Sequence, residues 1–247
     1  MGVVFINTKM LIIILLGSVV SLTGTMAGAS IGVLLRKPSN KLLGGILGFA
    51  GGVMMAVVVF DLIPESIEKW SFLGTIVYCI LGIVTIMIVD NIFDTKNMFQ
   101  NSHIKVAIMA ALGLMLHNLP EGIIMGCGFV SGTTLGLEMS LIIAIHDIPE
   151  GIAISAPLMV SRVRIRKILL YAFFTAFPTA IGVWIGAYVG SISKNVLGAC
   201  LAFASGIMLY VVYREMIPES SKLWEGITST IGILAGMIVG LIVTTLL

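Results

Sequence analysis

Two short segments carry the chemistry of this chain. HNLPEG at residues 117–122 and HDIPEG at 146–151 set His117, Asn118 and Glu121, then His146, Asp147 and Glu150, inside long apolar runs. Residues four apart share a helix face, so His117 points with Glu121, and His146 with Glu150. The SGTTLG loop between them, residues 131–136, has its midpoint at 133.5. Antiparallel pairing about that point sets His117 level with Glu150 and Glu121 level with His146 (both pairs sum to 267). Two imidazoles and two carboxylates converging at mid-depth form a ligand set for a borderline cation such as Zn²⁺. Pro120 and Pro149 deprive the carbonyls of Leu116 and Ile145 of their helical donors, which is tolerated at membrane depth where such carbonyls line a polar cavity. Gly122 and Gly151 are expected to let the two helices approach closely.

Two other readings compete. A purely structural hydrogen-bonded cluster would bury several carboxylates with no cation, at high cost. An intramembrane zinc metalloenzyme would use the same cluster for hydrolysis. The helical HExxH motif of zinc hydrolases is absent, because Asn118 and Asp147 stand where its Glu would be.

The elements that must hold these residues are membrane helices. The sequence is 58% hydrophobic and 11% charged, against roughly 25% charged in soluble domains. About 20 apolar residues cross the hydrocarbon core, and eight stretches qualify: roughly 10–35, 42–64, 72–92, 104–130, 134–160, 167–189, 196–217 and 226–247. Met10–Leu35 carries no charge from end to end and is longer than a signal peptide's apolar region. It reads as a spanning helix. No linker or soluble domain interrupts residues 1–247, so the expectation is an all-α integral membrane protein of one polytopic domain. The net charge of +2 gives no sign of a nucleic-acid partner. Cys79, Cys127 and Cys200 are far apart in apolar runs and read as packing residues.

Lysines and arginines orient the chain. Eleven of the 14 fall on one side: Arg36, Lys37, Lys41, Lys96, Lys105, Arg162, Arg164, Arg166, Lys167, Arg214 and Lys222. Lys9, Lys69 and Lys194 fall on the other. Both termini are therefore expected outside, with Arg162–Lys167 a topology signal.

The chain also repeats itself. FAGGVMMAVVVFDLIPES at 49–66 and FASGIMLYVVYREMIPES at 203–220 share ten of 18 positions at an offset of 154, and Asp61 pairs with Glu215. The copies lie on the second and seventh helices and must run in opposite directions. Inverted repeats around a central helix pair are a transporter signature, with the substrate site near the midplane. Met54 is either a core residue, as most methionines are, or a soft ligand. Asp61 and Glu65 extend a polar stripe toward the outer end of the second helix, with Glu68 at its mouth. Solvated helix ends explain Glu65, Glu68 and Glu219 equally well, and His103 at a boundary carries little information.

At HNLPEG and HDIPEG the chain resembles the ZIP (Zrt-, Irt-like protein) metal transporters of the bacterial type, along essentially its whole length. The resemblance implies a 3+2+3 fold, helices 1–3 and 6–8 being inverted copies around helices 4 and 5. It implies a homodimer in the cell membrane, moving metal by sliding of a central bundle. The cargo would be Zn²⁺ foremost, with Fe²⁺, Mn²⁺, Co²⁺ and Cd²⁺ as further candidates, and no prosthetic group. It implies a primary site of Met54, His117, Glu121, His146 and Glu150. A second, adjacent site would use Asn118 and Asp147, bridged by Glu121 and Glu150. Two-metal members add a Glu from helix 6; here AFPTAIG at 176–182 puts Thr179 in that position. Glu68 resembles an acidic residue at the outer mouth and Glu215 one on the release path, with Arg214 where a His or an acid is usual.

Overall fold

The computed structural model describes residues 8–35, 39–93, 102–160 and 162–246. The loop residues Arg36, Lys37, Lys96 and Ser161, and the side chains of Lys9, His103 and Lys105, lie outside the described residues. Among the described residues the structure is helical throughout. Its helical segments join into eight rods: α1 (Thr8–Leu35), α2 (Asn40–Lys69), α3 (Phe72–Phe93), α4 (Ser102–Ser131), α5 (Thr133–Val160), α6 (Ile165–Gly190), α7 (Lys194–Leu223) and α8 (Ile227–Leu246). Helix is the form these apolar runs must take in lipid, because it satisfies every backbone donor and acceptor within one segment.

Among the described residues six rods are long and apolar enough to cross a membrane: α1, α2, α3, α6, α7 and α8. The other two, α4 and α5, carry the polar motifs and have 30 and 28 residues. At 1.5 Å per residue they measure about 45 and 42 Å. Burial ranks the rods. Only 17% of the apolar windows of α3 and α8 is buried, against 61% in α2 and 67% in α7. Leu73, Ile80 and Ile88 on α3 and Ile227, Ile231 and Ile238 on α8 are exposed. Apolar surface on that scale belongs against lipid rather than water.

The packing comes in matched pairs. The tightest contacts join α4 to α6, α5 to α1 and α2 to α8, followed by α2 to α7 and α7 to α3. Lesser ones join α4 to α7 and α5 to α2, and α4 meets α5 as α1 meets α6. Exchanging α1 with α6, α2 with α7, α3 with α8 and α4 with α5 maps this set onto itself.

Local structure repeats as well. Ser39 caps α2 by accepting from the Leu42 N–H at 3.2 Å, and its repeat counterpart Ser193 caps α7 by accepting from the Val196 N–H at 3.2 Å. Ser66 Oγ donates to the Gly198 carbonyl at 2.8 Å, and Ser220 Oγ donates to the Gly44 carbonyl at 2.6 Å. Each of these serines also meets a second hydroxyl, Thr75 and Ser229 respectively. Both central rods loosen into a π-helical turn at the same repeat position, Val58–Leu62 in α2 and Val212–Met216 in α7. Pro64 and Pro218 follow immediately. A proline offers no N–H and crowds the carbonyl four residues back, and a wider turn relieves that conflict. Asp61 and Glu215 ride on these turns.

Between α4 and α5 only Gly132 is non-helical. The expected six-residue loop is therefore a sharp corner. Its backbone stays satisfied, Gly132 N–H bonding to the Gly128 carbonyl and Gly136 N–H to the Gly132 carbonyl, both at 3.0 Å. In an apolar medium, running helix up to the corner leaves fewer polar groups bare than an open loop would.

Candidate functional site

On α4, Asn118 and Glu121 are buried; on α5, Asp147 and Glu150 are buried. All four lie on adjoining rods. His117 and His146 belong to the same helical turns, and their side chains lie outside the described residues. Among the described residues no three His, Cys, Asp or Glu side chains form a cluster of metal-binding size. The expected set draws two of its ligands from those two imidazoles.

The polar residues are tied outward, to the two helices that clamp the centre. Asn118 Nδ2 donates to the main-chain carbonyl of Thr175 on α6 at 2.7 Å. Ser21 Oγ on α1 donates to Asp147 Oδ2 at 2.8 Å. Ser21 and Thr175 are counterparts at the repeat offset, and Asn118 and Asp147 are counterparts in the two motifs, so the two bonds occupy equivalent places built from different atoms. Buried polar groups need such partners. Neither Ser21 nor Thr175 was legible as part of the site, because a single hydroxyl in an apolar helix carries no pattern. Asn118 Oδ1 and Thr179 Oγ1 are buried with no hydrogen-bond partner among the described residues.

One expectation changes. Gly122 and Gly151 do not serve the α4–α5 contact. A Cβ on Gly122 would fall on the Thr179 carbonyl of α6, and one on Gly151 on the Thr25 carbonyl of α1. The glycines seat α4 on α6 and α5 on α1, the tightest pairs in the bundle. At the corner the two rods come close, a Cβ on Gly128 standing 3.3 Å from Gly136 Cα and 3.4 Å from Met139 Cγ. Met54 is fully buried in an apolar cluster with Met208, its repeat counterpart, a setting that suits both a core residue and a soft ligand. Met208 went unremarked because methionine is common in this chain.

The pathway residues sit at different depths. Asp61 is half-buried on the α2 π-turn, within electrostatic reach of Glu65 and of Glu138 at the start of α5. Glu138 was not anticipated; it belongs to no repeat. Glu65 is held by Lys69 at 3.0 Å, and Glu68 is exposed. Glu215 is half-buried on the α7 π-turn. Next to it, exposed Arg214 reaches toward Asp90 of α3 (Nε to Oδ2, 3.6 Å), which also accepts from the Tyr210 hydroxyl at 2.6 Å. Thr179 is buried on α6, beside Gly122.

Three buried acids, Glu121, Asp147 and Glu150, thus share the middle of the bundle, while every described Lys and Arg side chain is at least partly exposed. Acids inside a membrane mark ion pathways far more often than they serve packing.

Comparison with known proteins falls in line with this. The family model described as "ZIP Zinc transporter" matches residues 94–244. The zinc transporter ZupT of Shigella flexneri serotype 5b (strain 8401) is 29% identical over 229 residues, covering 86% of this chain and 88% of that protein. The ZupT proteins of Escherichia coli O7:K1 (strain IAI39 / ExPEC) and of Escherichia coli (strain K12 / DH10B) are 30% identical over the same shares.

Proposed function

The chain belongs to the ZIP zinc transporter family and is a multi-pass membrane transporter of metal ions, zinc foremost; from that premise we propose that it imports Zn²⁺ through a site built on α4 and α5. It is a transporter and not an enzyme, so the hydrolase alternative falls with the family assignment. The primary ligands are Met54, His117, Glu121, His146 and Glu150. Asn118 and Asp147 flank them as a weaker second position. The observation that carries this reading is the burial of Asn118, Glu121, Asp147 and Glu150 on two adjoining helices inside an apolar bundle.

All eight rods cross the membrane, as a single polytopic domain spanning residues 1–247, in a 3+2+3 arrangement. The exchange-symmetric packing and the twin π-turns support that arrangement. Both termini then lie outside the inner membrane. Asp61 and Glu68, with Glu138, draw cations toward the outer mouth, and Glu215 receives them on the cytoplasmic side. Two copies form the working assembly. Fe²⁺, Mn²⁺, Co²⁺ and Cd²⁺ are further candidate cargo, since ligand type ranks such ions poorly on its own.

The test is zinc uptake by proteoliposomes holding the purified protein. Replacing His117 or Glu150 with Ala should abolish uptake while leaving a monodisperse, inserted protein. Near-normal uptake by both variants would remove the site from α4 and α5.

A further inference from the structure

We infer that Cys127 and Cys200 form a binding site for a soft, thiophilic d¹⁰ cation such as Hg²⁺, Ag⁺ or Cu⁺, held between two sulfurs, and that filling it stops transport. The site is separate from the His and Glu residues proposed for zinc. Cys127 is fully buried on α4, beyond Glu121 toward the corner, and Cys200 is half-buried on α7. Both thiols are free, and they approach across the α4–α7 contact: a Cβ on Gly190 would stand 3.4 Å from Cys127 Sγ and 3.1 Å from Leu197 Cδ1, one turn before Cys200, and each thiol is the other's first electrostatic neighbour. Cys127 Sγ also lies 3.5 Å from the Gly186 carbonyl of α6.

The surroundings select the ligand. Cys127 belongs to a cluster of Ile124, Met139, Ile142, Leu197 and Leu201, with Cys200 packed against it. Sulfur is the only side-chain donor these residues offer. Hard cations such as Mg²⁺ and Ca²⁺ require several oxygens, whereas thiolates select soft ions. Two sulfurs from facing helices suit an ion that is content with two ligands. On binding, each S–H bond breaks, its proton leaves to water, and two sulfur–metal bonds form. No oxidation state changes, and no second reactant is needed.

The consequence follows from the packing. The rods α1, α4, α5 and α6 form one group through the α4–α6, α1–α5, α4–α5 and α1–α6 contacts, and α2, α3, α7 and α8 form another through α2–α8, α2–α7 and α3–α7, while α4 and α7 meet across the seam between the groups. A metal bridging Cys127 to Cys200 staples that seam. Transport requires the metal site to face each side of the membrane in turn, and a staple between the groups forbids their relative motion.

The sulfur count decides the site. Purified full-length protein is given one equivalent of HgCl₂ and studied by mercury X-ray absorption. Two sulfur neighbours are expected in the unaltered protein and in Cys79→Ser, and a single sulfur in Cys127→Ser and in Cys200→Ser. One sulfur in the unaltered protein, or two in either seam variant, overturns the proposal. The staple rests on the transporter reading and has its own readout. In proteoliposomes, the same mercury dose should abolish zinc uptake by the unaltered protein and by Cys79→Ser, and spare both seam variants. Two-sulfur binding with undiminished uptake overturns the staple. Absent uptake without mercury would indict the transport reading instead, while the sulfur count still decides the binding site.

Discussion

The bonds from Ser21 to Asp147 and from Asn118 to Thr175 stand in equivalent places, yet they should respond to mutation in opposite ways. Ser21 donates with its side chain, so Ser21→Ala deletes the bond. Asn118 donates to the main-chain carbonyl of Thr175, so Thr175→Val leaves it standing and removes only a hydroxyl that bonds the nearby Ala172 carbonyl. Interhelical hydrogen bonds in membranes average about 0.6 kcal/mol and reach about 1.7. A bond to an ionised acceptor in soluble proteins is worth ~1.5–3 kcal/mol. The Ser21–Asp147 bond is short at 2.8 Å, with both residues buried, which places it at the upper end of the membrane range, about 1.5 kcal/mol. That corresponds to roughly a tenfold shift in the folded population. Thr175→Val should stay within ~0.5 kcal/mol, because local hydroxyl bonding of this kind adds little. The assay is SDS-titration unfolding of the purified protein, with a double-mutant cycle of Ser21→Ala and Asp147→Asn. Effects that add within ~0.5 kcal/mol, or equal losses for Ser21→Ala and Thr175→Val, would refute the reasoning.

Other consequences are direct. Gly122→Ala forces a methyl onto the Thr179 carbonyl and should cost about 1–3 kcal/mol by overpacking; a Cβ on Gly132 meets nothing within 4 Å, so Gly132→Ala should leave the melting temperature unchanged or slightly higher. Cysteine at Ser39 should react only from the cytoplasmic side and cysteine at Ser193 only from outside, in a Cys-free background; the reverse pattern would invert the direction of transport. Three carboxylates fall one charge short of balancing two divalent ions, and closely spaced cations repel strongly where the dielectric is low. One zinc per chain is therefore expected by anomalous scattering, and Thr179→Glu should add a second.

The helices were legible because lipid leaves the chain little choice. Each boundary inferred from hydropathy lies within a few residues of the observed one, except where α2 and α7 run on past their prolines to Lys69 and Leu223. Those extensions were hidden because the residues beyond Pro64 and Pro218 are too polar to count in an apolar span, whereas a π-turn ahead of each proline lets the helix continue. The two motifs were legible because charge inside an apolar run stands out. Their anchors were not: Ser21, Thr175 and Glu138 are single residues whose meaning depends on which helix lies alongside. The same limit sent Gly122 and Gly151 to the wrong partner, since a small residue announces a close approach without saying to what. Cys127 and Cys200 looked unrelated for the same reason, being far apart in sequence on helices that hydropathy alone does not pair.

The departures from repeat symmetry bear most on mechanism. A bundle whose two halves were identical would present the same barrier to each side of the membrane. In this chain the scaffold is duplicated, in the serine caps, the π-turns and the Ser66 and Ser220 bonds, and so are Asp61 with Glu215, Glu65 with Glu219 and most of the two motifs, whereas a few polar positions differ. Asn118 faces Asp147 across the pseudo-symmetry, Phe60 corresponds to Arg214, Thr244 to Asp90, and Ala56 to Tyr210. The Asp90–Tyr210–Arg214 group thus exists at one end only, on the side where basic residues concentrate. At the other end stand Asp61, Glu65 and Glu138, of which only Glu138 has no counterpart in the repeat. Symmetry in the packing gives two related conformations of similar energy, which alternating access needs. On the proposed import route, Glu138 adds charge at the mouth where cations would enter, and Arg214 stands beside the Glu215 that would receive them, so the positions where the repeats disagree are the ones that distinguish the two ends.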